Sequence, residues 1–365
     1  MFFLFISLFF VAVHYLAYSR VVKRLHIKEK TKEFFIAFLI ANLLSIFAYI
    51  LSRYFIDVPS RLYYLFSLSV GIGFLIFFSW LLYELIHLMQ RAVPLDDSKR
   101  DFLKRTTDLG FISLGAGYIA TGVLNDETIP KIIRVKVDQK RFERPYKIAQ
   151  LSDLHIGGLI DLDFIKRCVD LINKENVDIV VITGDLIDTK IEKSKIIVDE
   201  LKRLKSKYGT FYVVGNHEYF HGVFDIMQYL KSIGINVLQN SSQKIDEFYI
   251  VGLYDLFGHR YSMYQPDVKK AFENIDTDTP TLLLMHQPKG IYELKETKPS
   301  LILSGHTHGG QLWPFGYLVR LAQPYLKGLY RLDERRHIYV NRGLGFWGPP
   351  MRIGSQAEIT ILSWS

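Results

Sequence analysis

The sequence holds a single cysteine, Cys168, in 365 residues. An intramolecular disulfide is therefore excluded, and stability has to come from burial rather than cross-linking. Charge is also scarce, 22% of residues against 49% hydrophobic. No Lys/Arg block has the density or the interleaved aromatics of a nucleic-acid face, so nucleic acid is not expected as a partner. Gly115-x-Gly117 has no strand before it and lies in an apolar stretch. It predicts helix packing, not dinucleotide binding. Internal repeats and low-complexity segments are lacking too.

Apolar and aromatic residues are abundant, with 26 Phe and 22 Tyr, and the first third is richest in apolar residues. Residues 2–18, 34–51 and 62–83 are apolar runs close to the ~20 residues a spanning helix needs. Residues 109–124 form a shorter, glycine-rich fourth candidate. The first run lacks a basic leader and a small-residue cleavage site, which favours a span over a signal peptide. Residues 1–124 thus read as an all-α transmembrane region of three to four helices, and residues 125–365 as a separate domain. His14, Glu84 and His87 lie in or near the runs, where ionisable groups are functional suspects; Glu84 and His87 fall at a run's end, where an interfacial position is expected.

Residues 1–124 carry 13 Lys/Arg against 8 Asp/Glu, +5 of the chain's net +8. Loop 19–33 holds Arg20, Lys23, Arg24, Lys28, Lys30 and Lys32; loop 52–61 holds Arg53 and Arg61; loop 89–108 holds Arg91, Lys99, Arg100, Lys104 and Arg105. Because basic loops stay in the cytoplasm, this rich–poor–rich alternation predicts an integral multi-pass protein of a plasma or inner membrane. With a fourth crossing, the rest of the chain is expected outside. Ser98-Lys99-Arg100-Asp101-Phe102-Leu103-Lys104 resembles a twin-arginine export signal with Lys99 in place of the first Arg.

Beyond residue 125, strand-like runs alternate with amphipathic stretches such as 164–173 and 196–205, the pattern of an α/β layered domain. Residues 132–137 and 146–152 read as opening strands, 338–341 and 358–362 as closing ones. Polar clusters follow five apolar runs: Asp153-Leu154-His155, Gly184-Asp185-Leu186-Ile187-Asp188, Gly215-Asn216-His217-Glu218, His286, and Gly305-His306-Thr307-His308-Gly309-Gly310-Gln311. Five strand ends on one side of a sheet are expected to line one crater. Carboxylate and imidazole donors without thiolate suit Mn, Fe, Co, Zn or Mg. About eight such groups exceed what one tetrahedral ion takes, so two divalent ions sharing a carboxylate are expected. Such a pair clamps a phosphoryl group and activates water. His217, the odd imidazole, is placed to protonate a leaving oxygen, with Asp188 fixing its tautomer.

These five blocks, in this order, resemble the calcineurin-like metallophosphoesterases. The resemblance implies a four-layer sandwich of two mixed sheets flanked by helices. It implies one metal on Asp153, His155, Asp185 and His308, and the other on Asp185, Asn216, His286 and His306. His217 and Asp188 match the family's catalytic pair. The long Gly-His-Thr-His-Gly-Gly-Gln and Asn341-Arg342-Gly343-Leu344-Gly345 resemble a membrane-associated branch with UDP-2,3-diacylglucosamine pyrophosphatase-like members. A phosphate-containing substrate, lipid-linked as in that branch, and contact with membrane lipids follow as expectations. In protein phosphatases of this superfamily an Arg-Gly follows the second Asp block; here Thr189-Lys190 stands there, which argues against a phosphoprotein substrate. Arg342 and Arg352 remain candidates for a phosphate contact. Tyr254-Asp255 is a candidate for the crater wall, residues 343–350 for a lipid-contacting lip or a rigid loop. His221 and His259 are expected to be ordinary surface or hydrogen-bonded histidines.

Overall fold

The computed structural model describes residues 2–56, 58–92, 96–124, 130–139, 141–276 and 278–365. The chain divides into two compact units, Met1–Asp126 with Gly348–Met351, and Glu127–Trp347 with Arg352–Ser365. The expected boundary at residues 124 and 125 abuts residues 125–129, outside the described residues.

The first unit is helical: α1 (Phe2–Leu16), α2 (Glu29–Tyr54), α3 (Ser60–Arg91) and α4 (Asp97–Leu124). Among the described residues, three stretches are long and apolar enough to cross a membrane: Leu4–Arg24, Glu29–Arg53 and Ser60–Gln90. All three outrun the apolar cores read from sequence, because basic and acidic residues continue the helices at their ends. The first runs past α1 through a π-helical turn and a 3-10 turn to Arg24. Inside the bundle, His14 bonds the Phe10 carbonyl at 2.8 Å and Asn42 Oδ1 at 2.9 Å, and Asn42 donates to the Ser69 carbonyl. His14 thus joins α1 to α2 and α3. Glu84 takes Arg24 at 3.3 Å, and buried Asp108 accepts from Tyr83 and from the backbone and ring of His26. The expectation of helix packing at Gly115 and Gly117 finds no support among the described residues, where a side chain added at either would meet nothing within 4 Å.

The second unit is two six-stranded sheets. Sheet I holds β1 (Lys131–Val137), β2 (Tyr146–Leu151), β3 (Ile179–Thr183), β4 (Thr210–Val213), β5 (Asn236–Val237) and β12 (Glu358–Trp364), in the order β1-β12-β2-β3-β4-β5. Sheet II holds β6 (Ser241–Ile245), β7 (Phe248–Gly252), β8 (Thr281–Leu284), β9 (Leu301–Ser304), β10 (Gly328–Arg331) and β11 (His337–Val340), in the order β10-β11-β9-β8-β7-β6. Both are mixed: β2, β3, β4 and β5 run parallel, while β12 is antiparallel to β2. In sheet II, β7, β8, β9 and β11 run parallel, flanked by antiparallel β6 and β10.

The continuous apolar character of the central strands follows from burial on both faces. With a side-chain period of two, Ile179 and Val181 enter the core between the sheets, where Leu282, Leu284, Leu301 and Leu303 from sheet II join them. Val180 and Ile182 point the other way, onto Ile165, Val169 and Ile172 of α5 (Leu162–Asn173) and onto α6 (Ile191–Val198) and α8 (Val223–Ser232). On the outer face of sheet II, Leu283 and Ile302 pack with Ala271 of α10 (Val268–Ala271) and with Leu294. Helix–sheet–sheet–helix layering is the expected four-layer sandwich. One helix starts earlier than its sequence pattern suggested. The stretch 196–205 is the end of α6 followed by a 3-10 turn at Asp199–Arg203, and Ile196 points to solvent.

Candidate metal centre

The five polar clusters do converge, but from two sheets rather than one. β2, β3 and β4 of sheet I deliver Asp153, His155, Asp185, Asp188, Asn216 and His217; β8 and β9 of sheet II deliver His286, His306 and His308. The sheets are tied at this rim. Gln150 donates to the Ser304 carbonyl at 2.9 Å, and His286 Nδ1 donates to the Thr183 carbonyl at 2.7 Å. That bond leaves His286 Nε2 facing the crater.

The donors form overlapping groups: Asp153, His155 and His308; His155, Asp185 and His217; Asp185, His286 and His306. Asp185 Oδ2 lies 3.1 Å from His286 Nε2, 3.8 Å from His217 Nε2 and 4.0 Å from His155 Nε2. His155 Nε2 and His308 Nε2 are 3.0 Å apart, and His286 Nε2 lies 3.2 Å from both Asn216 Oδ1 and His306 Nδ1. Nearly all these groups are buried.

Electrostatics fit a bound cation. Burial raises the Asp153 carboxyl above its ordinary range. Burial opposes charge on Asp185 as well, yet His286 and His217 outweigh it and hold the carboxyl well below. Burial also disfavours a charged His286, but Asp185 keeps a proton on it well above the usual imidazole range. A divalent ion would supply that positive charge in the proton's place. Burial and the neighbouring His286 push His306 down to about 3; burial and His155 push His308 well down. Both shifts favour the neutral imidazole, the state a metal ligand needs.

His217 is held differently. Its Nδ1 donates to Asp188 Oδ1 at 2.6 Å, because a carboxylate oxygen only accepts. The same oxygen accepts from His155 Nδ1 at 2.8 Å, a second duty that the sequence did not reveal. Burial opposes charge on Asp188, but His155 and His217 overcome it and hold the carboxyl well below its ordinary range.

Glu218 was the residue missed. It is fully buried, and its carboxylate accepts N–H groups of Gly215, Asp185, Leu186 and Ile187 at 2.7–3.2 Å. Burial and the Asp185 charge push its carboxyl up to about 7. Its place in Gly-Asn-His-Glu was the available signal. His221 lies beside Asp188 and His217 at the edge of the cluster. His259 fits its expected ordinary role, exposed beside Glu293 at 3.6 Å. Asp255 is buried next to His286 in a small pocket wall with Tyr254 and Gln287, and accepts from Gln287 at 2.9 Å.

Arg352 is turned away from the crater. Arg352 is buried and donates to the carbonyls of Arg342, Gly343, Gly345 and Ser355. Arg342 pairs with Glu358 at 2.7 Å. The bonds from Arg352 brace residues 342–345, which makes the start of the proposed lip a rigid loop.

Two glycines permit the close packing. A Cβ on Gly305 would lie 1.8 Å from Ser152 Oγ and 2.2 Å from Asp153 Oδ2; one on Gly215 would lie 2.2 Å from Asp185 Oδ1.

Comparison with known proteins gives a consistent result. Residues 146–310 match the family model described as calcineurin-like phosphoesterase. An uncharacterized metallophosphoesterase of Helicobacter pylori is 39% identical over 306 residues, 84% of this chain and 83% of that protein. A transmembrane protein with metallophosphoesterase domain from Danio rerio is 33% identical over 305 residues, 79% of this chain and 69% of its own. A solved dimetal phosphatase from Danio rerio aligns with 61% of this chain and 100% of its own at 12% identity, with a TM-score of 0.41.

Proposed function

Because the chain belongs to the calcineurin-like phosphoesterase family, we propose that it is a membrane-anchored hydrolase of phosphate ester or pyrophosphate bonds that works with two divalent metal ions. The observation that carries this reading is Asp185. Its Oδ2 lies within 4.0 Å of ring nitrogens on three histidines, and it is shared between donor groups on both sides of the crater. Asp153, His155, Asp185 and His308 would hold one ion; Asp185, Asn216, His286 and His306 would hold the other. Two ions so placed supply charge neutralisation for the phosphoryl oxygens and an activated water.

The remaining steps belong to the chain's own groups. His217, with Nδ1 held by Asp188, would protonate the leaving oxygen through Nε2. Asp188 fixes that tautomer and stabilises the imidazolium form. Buried Glu218 keeps the two metal-bearing loops in register. The three apolar helices support multi-pass membrane insertion, and the charge alternation of their loops supports a site outside the cytoplasm if α4 makes a fourth crossing. A UDP-diacylglucosamine-type pyrophosphate, with a cytoplasmic site, is the competing substrate reading, and the resemblance at Gly305–Gln311 and Asn341–Gly345 favours it.

Asp185→Asn tests the reading. The variant should bind fewer than two ions per chain by elemental analysis and lose phosphodiester, phosphomonoester and lipid pyrophosphate hydrolysis alike. Two tightly held ions with normal turnover would overturn the dinuclear assignment.

A further inference from the structure

A wall of aromatic side chains begins at His217 and runs out to solvent. The His217 and Phe220 rings stand edge to face, 6.1 Å apart. Phe220 meets Phe257 at 4.9 Å, Phe257 meets Tyr261 at 5.2 Å, and Tyr219 lies 5.9 Å from Phe257. Two single-turn helices present it, α7 (Glu218–His221) after β4 and α9 (Gly258–Tyr261) after β7. Phe220 is 55% exposed and Tyr261 46%, with Phe224 and Met263 exposed on the same two segments. Exposed large apolar side chains clustered beside a buried polar crater mark a binding surface more often than they mark packing.

We propose that this wall seats the apolar part of a lipid-linked phosphate substrate, on the leaving-group side of the bond. The inference rests on His217 being the group that protonates the leaving oxygen. A leaving group protonated by His217 must lie within hydrogen-bond reach of its ring, and the Phe220 ring stands 6.1 Å from that ring. The surface suits a chain better than a flat base. The Phe220 and Phe257 planes are tilted 58° to each other, and Phe257 and Tyr261 48°, so these neighbours make a corrugated face. The Tyr219 hydroxyl, a candidate for reading a base edge, is committed to the Tyr264 carbonyl at 2.6 Å. The same chain carries three helices of membrane length, which keeps the domain tethered where such lipids are concentrated.

The test is calorimetric titration of the full-length, metal-loaded protein in phosphatidylcholine nanodiscs with ethyl-, hexyl- and decylphosphonate, non-hydrolysable ligands for the metal centre. Wild-type affinity should rise with chain length, on the order of a hundredfold from ethyl to decyl. In Phe220→Ala/Phe257→Ala the ethyl compound should bind as in wild type, while the gain with chain length largely disappears. Partition of decylphosphonate into the nanodisc is common to both proteins and cancels in the comparison. An unchanged chain-length gain in the variant would overturn the proposal and leave the metal centre standing. Adenosine monophosphate binding more tightly than ribose 5-phosphate, with the advantage lost in the variant, would assign the wall to a nucleobase and overturn the lipid reading. If neither inorganic phosphate nor any phosphonate binds, the metal-centre reading itself fails and the wall falls with it.

Discussion

His217 and Asp185 sit 3.8 Å apart yet should respond differently to substitution. His217 is proposed to move a proton rather than hold an ion. His217→Ala should keep its metal content and lose roughly 10²–10⁴ in kcat, the usual range for a general acid. The loss should shrink for a nitrophenyl ester, whose leaving group needs no proton. Loss of metal from this variant would make His217 a ligand. A second residue-scale feature is backbone strain. Asp153, His155, Asp185, His306 and His308 all have φ between 48° and 69°, a left-handed conformation that disfavours a Cβ. Function is the reason such residues stand where glycine would be easier. His155→Gly should therefore be more stable than His155→Ala by about 0.5–1 kcal/mol, since both lose the imidazole and only alanine keeps the strain. Paired unfolding curves measure this; alanine equal to or above glycine would refute the strain account.

At the scale of elements, the single-turn helix α7 fastens the loops that follow β3 and β4. Its first residue, Glu218, takes four backbone N–H groups that have no water to turn to. A buried donor left unsatisfied costs about 1–3 kcal/mol. Glu218→Ala should lower the apparent thermal midpoint and also weaken metal binding, because Asp185 sits on one of the released loops. Glu218→Gln, which keeps one acceptor oxygen, should fall between the two. A normal midpoint and full metal occupancy in Glu218→Ala would show that the loops hold themselves. The strands themselves were legible, because burial on both faces writes short apolar runs into β3, β8 and β9. The start of α6 was not: residues 191–195 carry too few apolar side chains to show a helical period.

For the whole molecule, loop charge predicts which side of a membrane the proposed metal centre would face. The basic residues of 19–33 and 89–108 against only Arg53 and Arg61 between them predict an outward domain if α4 crosses. A carboxyl-terminal fusion after Ser365 decides it. Alkaline phosphatase should be active there and a fluorescent protein dark. Fluorescence without phosphatase activity would reverse the orientation and favour a cytoplasmic lipid pyrophosphate substrate.

The sequence alone determined the candidate donor set, the metallophosphoesterase family and the apolar helices. Ligand chemistry demands particular residue types at strand ends, and membrane length demands particular apolar runs, so both are written locally. Only the tertiary structure decided that the ligands come from two sheets joined at one rim, since strand order depends on pairing between residues distant in the chain. It also turned Arg352 inward onto backbone carbonyls and gave Asp188 two imidazoles to hold. It assembled the wall of Phe220, Phe257 and Tyr261 from segments some forty residues apart. Those are contacts across space, and no local pattern of residues encodes them.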